Sequence, residues 1–532
     1  MQQPHSISFE IKAFRAICRD FFDKNFKKYF AIIYGIYFIG YFALLRANIS
    51  YKDDLRRAVD GISGFLDPVY GYSRYGSEFL TKIIHMDLTF NTDISPIPQL
   101  IAIAIVSVAS LALCKIFINK INFMAVLAVT PVGLSPFYLE NMSFKFDAPF
   151  MAIALTSMIF PFLFRKRLSL FAIISLFCVL LMATTYQAAN GIFIIMSLFV
   201  AFEMAISGKK WSEIFKFSAV CLACFTLPLL FYKFALLTTV HSGYAGTGVS
   251  NNLLLQFIYG ILQSSMQPAL AFNGSQGINQ IFLKFSFRYL LIAFIIFVLL
   301  RSKINKILTL LLSIFVIIFA YILQTGVYLI LAHPTFVPRV FVGFGVILSI
   351  IFLGCIGRGI KPIKIVVNLA LGFTAYFLII EANAYANALE AQYIYNHQRM
   401  SAMQNDLNKL VPLEGEYKVW IKNAPIRFAP VTINASRNYP IIPLLVTSRL
   451  GKNHAWASHY NYVYYGFDGK YLHGDVFRKK DGTLQTPNGT FKFSLEAYDA
   501  MKCTGEPIEE IKTRLHTITK YQENCFIVDY SW

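Results

Sequence analysis

Two acids, Asp53 and Asp54, stand side by side in "NISYKDDLRRAVDG" (48–61), with Arg56, Arg57 and Asp60 close behind. The stretch follows "YFAIIYGIYFIGYFALL", an apolar run long enough to cross a bilayer. A carboxylate in that position can take the proton of a hydroxyl nucleophile as general base. Guanidinium and ammonium groups beside it can hold a phosphate and stabilise it as a leaving group.

Further polar groups recur in other loops on the same side of the chain's apolar runs. "GYSRYGSEFLTKII" brings Arg74 and Glu78, and "PFYLENMSFKFDAPFMAIAL" brings Asn141, Lys145 and Asp147. "TTYQAAN" brings Tyr186, Gln187 and Asn190, and "AHPTFVPRVF" brings His333 and Arg339; Lys233 lies one to two turns inside its own apolar run. Charge at one membrane depth is costly and tends to mark a functional cavity. Plainer readings stand beside this one. Asp53 and Asp54 can stabilise a helix N-terminus, Lys145 and Arg339 can anchor to headgroups, Lys233 can snorkel, and His333 can support a turn. No compact set of ligands points to a metal, and no cofactor is expected.

The elements that must position these groups are membrane spans. The chain has 532 residues, 56% of them hydrophobic, a mean hydropathy of +0.54 and 14% charged residues; soluble proteins carry about a quarter. Apolar runs predict about eleven transmembrane helices, near 29–46, 98–116, 121–139, 148–164, 168–185, 190–206, 214–238, 286–301, 307–331, 340–357 and 364–383. The first run is long enough to be a permanent span, not a cleavable signal. A net charge of +19 raises the question of nucleic acid. The distribution of that charge answers it, because the basic residues sit in short loops. They precede the first span and follow the second, fourth, sixth, eighth and tenth, as at Arg165–Arg167, Lys209–Lys210 and Arg301–Lys306. The positive-inside rule then places the N-terminus in the cytoplasm and everything after the last span outside.

The expected fold is therefore an all-α polytopic membrane domain, 1–384, whose first outside loop is 47–97, followed by a small α+β domain, 385–532. Short strand-like runs broken by Pro, Gly and Asn fill the tail after Pro412. Cys503 and Cys525 are both in that outside tail, where two cysteines usually pair as a disulfide. Cys221 and Cys224 have CxxC spacing inside an apolar helix and are read as packing. The aromatic stretch "HAWASHYNYVYYG" (454–466) is a candidate sugar-stacking surface.

An acidic pair in the first outside loop resembles the C-type (GT-C) glycosyltransferase superfamily. More narrowly, the chain resembles the serotype-converting O-antigen glucosyltransferases of phages and bacteria. The resemblance rests on "DDLRR" (Asp53, Asp54, Arg57), "YSRYGSEFLTKII" (Arg74), "NMSFKFDAPFMAIAL" (Lys145, Asp147) and "YQAANGIFI" (Tyr186, Gln187). It runs over about the first 210 residues; family members often have Arg-Pro where this chain has Arg74-Tyr75. It implies transfer of glucose from undecaprenyl-phosphate-glucose to an O-antigen sugar of lipopolysaccharide, at the periplasmic face of the bacterial inner membrane. It also implies a separate flippase and a separate donor-synthesising glucosyltransferase, and it favours Asp54 over Asp53 as the base, by a small margin. Arg57, Arg74, Lys145 and Arg339 would then hold the donor phosphate. Alternatives are a related transferase acting on another acceptor such as lipid A, a lipid or sugar transporter, and an O-antigen polymerase. Transporters often show internal repeats and midplane helix breaks; no repeat is evident here, and the polar residues gather at the outer end rather than the midplane.

Overall fold

The protein is described by a computed structural model. It describes residues 7–66, 73–118, 120–237, 249–272, 278–332, 334–422, 427–446 and, in the tail, 470–473, 477–478, 484–486, 489–491, 503, 505–522 and 524–530. His333 and the 454–466 aromatic stretch lie outside the described residues.

The chain begins with an amphipathic helix, α1 (Ile7–Phe21), and the first long apolar helix, α2 (Phe26–Ala47). Two short helices, α3 (Asp54–Asp60) and α4 (Tyr75–His85), form the loop that follows. Next come α5 (Ile97–Phe117), α6 (Phe123–Ala128), α7 (Pro131–Leu134), α8 (Pro136–Ser143) and α9 (Ala148–Ile159). The rest of the bundle is α10 (Leu168–Thr185), α11 (Asn190–Ile206), α12 (Trp211–Phe231), α13 (Leu253–Phe272), α14 (Ile278–Arg301), α15 (Lys306–Ile322), α16 (Gly343–Cys355) and α17 (Lys361–Leu407).

Among the described residues, eight helices are long and apolar enough to span a membrane, and each matches an expected span. The other three expected spans differ in form. The 148–164 and 340–357 segments are shorter apolar helices, and 121–139 is a pair bent by 59° at Ser135. The bend follows from Pro136, since the residue before a proline is driven out of the helical region; Ser135 has φ −59 and ψ 146. Helix α13 had no counterpart among the expected spans, its apolar stretch being short and flanked by polar residues.

Small side chains let the bundle close. Ala102, Ser107, Ala109, Ser110 and Ala112 on α5 are all buried, and close backbone approach of this kind drives helix association in lipid. Among the described glycines, Gly191 makes the tightest contact with backbone, where an added Cβ would stand 1.9 Å from the Gln324 carbonyl oxygen. Cys221 and Cys224 are buried thiols in the α12 wall.

One end of the bundle collects basic groups. Lys115 pairs with Asp20 at 3.0 Å, Arg165 donates to the Ile116 carbonyl at 2.6 Å, and Arg301 pairs with Glu203. Helix α2 runs from this end to the other, where α3 and α4 lie.

Helix α17 has 47 residues, roughly 70 Å at 1.5 Å per residue. It passes unbroken through 384–385, and its second half packs Met400, Met403 and Leu407 against the tail sheet. The tail contains α18 (Pro430–Asn438), α19 (Ile442–Leu445) and strands β1 (Lys418–Lys422), β2 (Lys470–His473), β3 (Phe477–Arg478), β4 (Leu484–Thr486), β5 (Gly489–Phe491), β6 (Glu509–Lys512), β7 (Thr517–Tyr521) and β8 (Cys525–Asp529). A mixed sheet runs β2-β1-β8-β7-β6, with β3-β4-β5 as a separate ribbon. Cys503 is bonded to Cys525 at the start of β8. Tyr439, Ile441, Ile442 and Leu445 join the core of the helical bundle, so the tail is seated on it.

Candidate active site

The site grows from two segments that lock together, 51–57 and 140–147. Lys52 is left-handed at φ 47 and lets the chain turn from α2 into α3. Asp54 opens α3 and is fully buried. Its Oδ2 accepts the Tyr51 N–H at 3.0 Å and the Lys145 N–H at 2.9 Å, and its Oδ1 accepts the Phe146 N–H at 3.4 Å. One turn on, the Arg57 guanidinium stands 2.6 Å from Asp147 Oδ1, both nearly buried. The contact is a close ion pair. Arg57 also donates from Nε to the Ser63 carbonyl at 2.9 Å and lies over the Phe65 ring at 4.6 Å.

A third carboxylate completes the lock. Glu140, 0% exposed, takes Lys52 Nζ at 2.7 Å and Arg339 NH1 at 2.8 Å on Oε1, and the Arg339 backbone N–H at 3.0 Å on Oε2. The Arg339 guanidinium lies over Phe144, which stacks edge-on with Tyr51. Lys145 points the other way and binds Asp93 at 2.8 Å.

The remaining groups extend from Arg339. Tyr186 donates its hydroxyl to the Arg339 carbonyl at 3.0 Å, Arg74 lies 5.9 Å from the Tyr186 ring and donates to Gln187 at 3.3 Å, and Gln187 donates to the Tyr232 hydroxyl at 3.0 Å. Helix α4, which carries Arg74 at its start, is fixed on the end of α10 by Gly76, where a Cβ would meet Thr184 at 2.7 Å.

Burial pushes the Asp54 carboxyl up to about 7, against the pull of Arg57, with Asp147 adding to the push and the Lys145 and Tyr51 N–H groups opposing it. Burial likewise lowers the Lys52 ammonium, with Glu140 opposing. Burial would raise Asp93, but its hydrogen bonds from Lys145 and Ser95 outweigh that and hold it below the usual carboxylate range.

Asp53 differs from all of these. It is partly exposed and sits at the N-cap of α3 without a capping bond. Among the described residues its side chain makes no hydrogen bond or ion pair within the protein. Asp53 and Asp54 both stand at the N-terminus of α3, where their charge meets the positive end of the helix dipole.

The structure brings Asp53, Asp54, Arg57, Arg74, Lys145, Asp147, Tyr186, Gln187 and Arg339 to one end of the bundle. Lys233 is exposed beside Phe234 and takes no part. Sequence reasoning missed Lys52, Asp93 and Glu140. Glu140 was findable as a lone carboxylate in the apolar run "PFYLENM", where an acid tends to be functional.

Fold and site together define a polytopic membrane protein with interlocked acids and cations at one end of its helical bundle. A family model described as glucosyl transferase GtrII matches residues 42–350. The chain belongs to the GtrII glucosyl transferase family. It is also 25% identical over 214 residues to a protein of Salmonella phage P22 described as an uncharacterized 55.3 kDa protein in the gtrB 5' region. That match covers 40% of this chain and 43% of the phage protein, so the chain spans less than half of that relative's length. No solved structure matches.

Proposed function

We propose that this chain is an integral-membrane glucosyltransferase that moves glucose from undecaprenyl-phosphate-glucose to an O-antigen sugar of lipopolysaccharide. The observation that carries this is the family membership over a region that contains the whole acid–cation cluster. The reading places the protein in the bacterial inner membrane, with the N-terminus in the cytoplasm and the site and tail at the periplasmic face. A flippase and a donor-synthesising glucosyltransferase supply the lipid-linked sugar.

In this mechanism Asp53, rather than Asp54, is the base. Asp54 is sealed and its oxygens face backbone N–H groups, whereas Asp53 keeps an accessible carboxylate. Asp53 takes the acceptor hydroxyl proton as that oxygen bonds to the anomeric carbon. The anomeric carbon–phosphate oxygen bond breaks, and the electron pair leaves with undecaprenyl phosphate. Direct displacement inverts the anomeric centre, so a β-linked donor gives an α-linked branch. Arg57, Arg74, Lys145 and Arg339 are the candidate phosphate contacts, since Arg binds phosphate in a fork and Lys as a point charge. Of these, Arg57, Lys145 and Arg339 are engaged with carboxylates in the structure. Tyr186, Gln187 and Asp147 contact these cations, at Arg339, Arg74 and Arg57 respectively.

The test is lipopolysaccharide structure analysis in a host that has the donor pathway, with and without this gene. A glucose branch that appears only with the gene supports the reading. Unchanged lipopolysaccharide with the protein present in the membrane overturns it.

A further inference from the structure

Among the described residues, Glu140 is the one carboxylate of the cluster that gathers two cationic side chains. Lys52 Nζ and Arg339 NH1 share its Oε1 at 2.7 Å and 2.8 Å. The two nitrogens therefore lie within reach of a single phosphate. The exposure of the three side chains is graded, at 0% for Glu140, 11% for Lys52 and 18% for Arg339. The anion is sealed, and each cation keeps a small exposed fraction. One carboxylate holds two cations, and Lys52 is the chain neighbour of Asp53.

The trio is also held by several further contacts. Lys52 holds a left-handed backbone conformation, and Glu140 grips Arg339 at both its guanidinium and its backbone N–H. Tyr186 fixes the Arg339 carbonyl, and Phe144 supports the guanidinium plane.

We infer that Glu140 is a positioning residue that holds Lys52 and Arg339 as a paired cation for the donor phosphate beside Asp53. Glu140 touches neither sugar nor phosphate and acts through the two cations. Lys52 becomes a phosphate contact in its own right. The inference rests on the lipid-phosphate donor reading above and adds two residues to it.

The two roles open to a buried carboxylate predict opposite signs. If Glu140 only balanced charge, Glu140→Gln would make the trio more positive and tighten phosphate binding. If Glu140 positions the cations, the same change weakens binding although the site gains positive charge. Loss of one well-placed charge-assisted contact corresponds to about a tenfold change in affinity or more.

The experiment measures binding of undecaprenyl phosphate to the full-length purified protein in nanodiscs, for wild type, Glu140→Gln and Glu140→Asp. The inference predicts at least about tenfold weaker binding for Glu140→Gln, with partial recovery in Glu140→Asp, which keeps the charge. In turnover with the glucosylated lipid donor, KM for the donor should rise far more than kcat falls. Binding by Glu140→Gln as tight as wild type, or tighter, overturns the inference and leaves the proposed function standing. Absence of binding by wild type overturns both. Should Glu140→Gln fail to fold with two buried cations unpaired, the charge-conserving double variant Lys52→Met/Glu140→Gln takes its place. Wild-type affinity in that folded double variant also overturns the inference.

Discussion

The Asp54 carboxylate accepts the backbone N–H of Lys145 at 2.9 Å, across 91 residues of chain. This bond fixes the 144–146 turn against the start of α3. The side chains of Lys145 and Asp147 reach different partners, Asp93 and Arg57. Asp54 thus orders the site through the backbone.

Replacing Asp54 by Ala should therefore destabilise the protein. It strands buried N–H donors at about 1–3 kcal/mol each. Melting temperature in detergent, followed by size-exclusion chromatography, should drop clearly for Asp54→Ala and little for Asp53→Ala. Equal melting temperatures would show that the Asp54 bonds contribute nothing to the fold.

The stability contribution of Asp54 should depend on pH. Its carboxyl is pushed up to about 7 in the folded state, from an ordinary value of 3.8. The folded state therefore binds this proton more tightly than the unfolded state does. The linked stabilisation is full below the ordinary value and is lost as pH rises through about 7. The amide introduced by Asp54→Asn cannot titrate. The melting temperature of wild type minus that of Asp54→Asn should be larger at pH 5 than at pH 8. The opposite trend would mean that the N–H bonds dominate and that the carboxyl is ionised throughout.

Much of the fold was legible because hydrocarbon length constrains sequence so strongly. The eight long spans follow from uninterrupted apolar runs. The bend at Ser135 is traceable to Pro136, but a length criterion reads straight through it. Helix α13 was missed because its apolar stretch is short. At the site, paired charges after α2 and the "FKFD" segment stood out against apolar flanks. What sequence could not rank was which of Asp53 and Asp54 is sealed. Neighbours on a helix start point about 100° apart, and only packing against 144–146 decides which one turns inward. Glu140 hid for a related reason, since its partners Lys52 and Arg339 are 88 and 199 residues away.

The Arg57–Asp147 ion pair should behave as a buried pair. Arg57→Met alone leaves a carboxylate buried and unpaired, at a cost of about 3–5 kcal/mol. Arg57→Met/Asp147→Leu should recover most of that stability. A double-mutant cycle on melting temperature checks it. A double variant no more stable than the single one would indicate that the pair is not coupled.

Removal of the Cys503–Cys525 link should act on the tail. Its loop spans 22 residues, for which loop-closure entropy gives roughly 3 kcal/mol. Cys503→Ser/Cys525→Ser should increase proteolysis in the tail sheet while the helical bundle stays intact. An unchanged protease pattern would contradict this.

The central claim is glucosyl transfer with Asp53 as base, and the direct measurement is the transfer rate of purified Asp53→Asn. The assay pairs undecaprenyl-phosphate-glucose with O-antigen acceptor at equal amounts of folded protein. Removing a general base costs about 10²–10⁴-fold in rate. The account predicts a loss in that range at near-normal donor affinity. A rate within a few fold of wild type would contradict it.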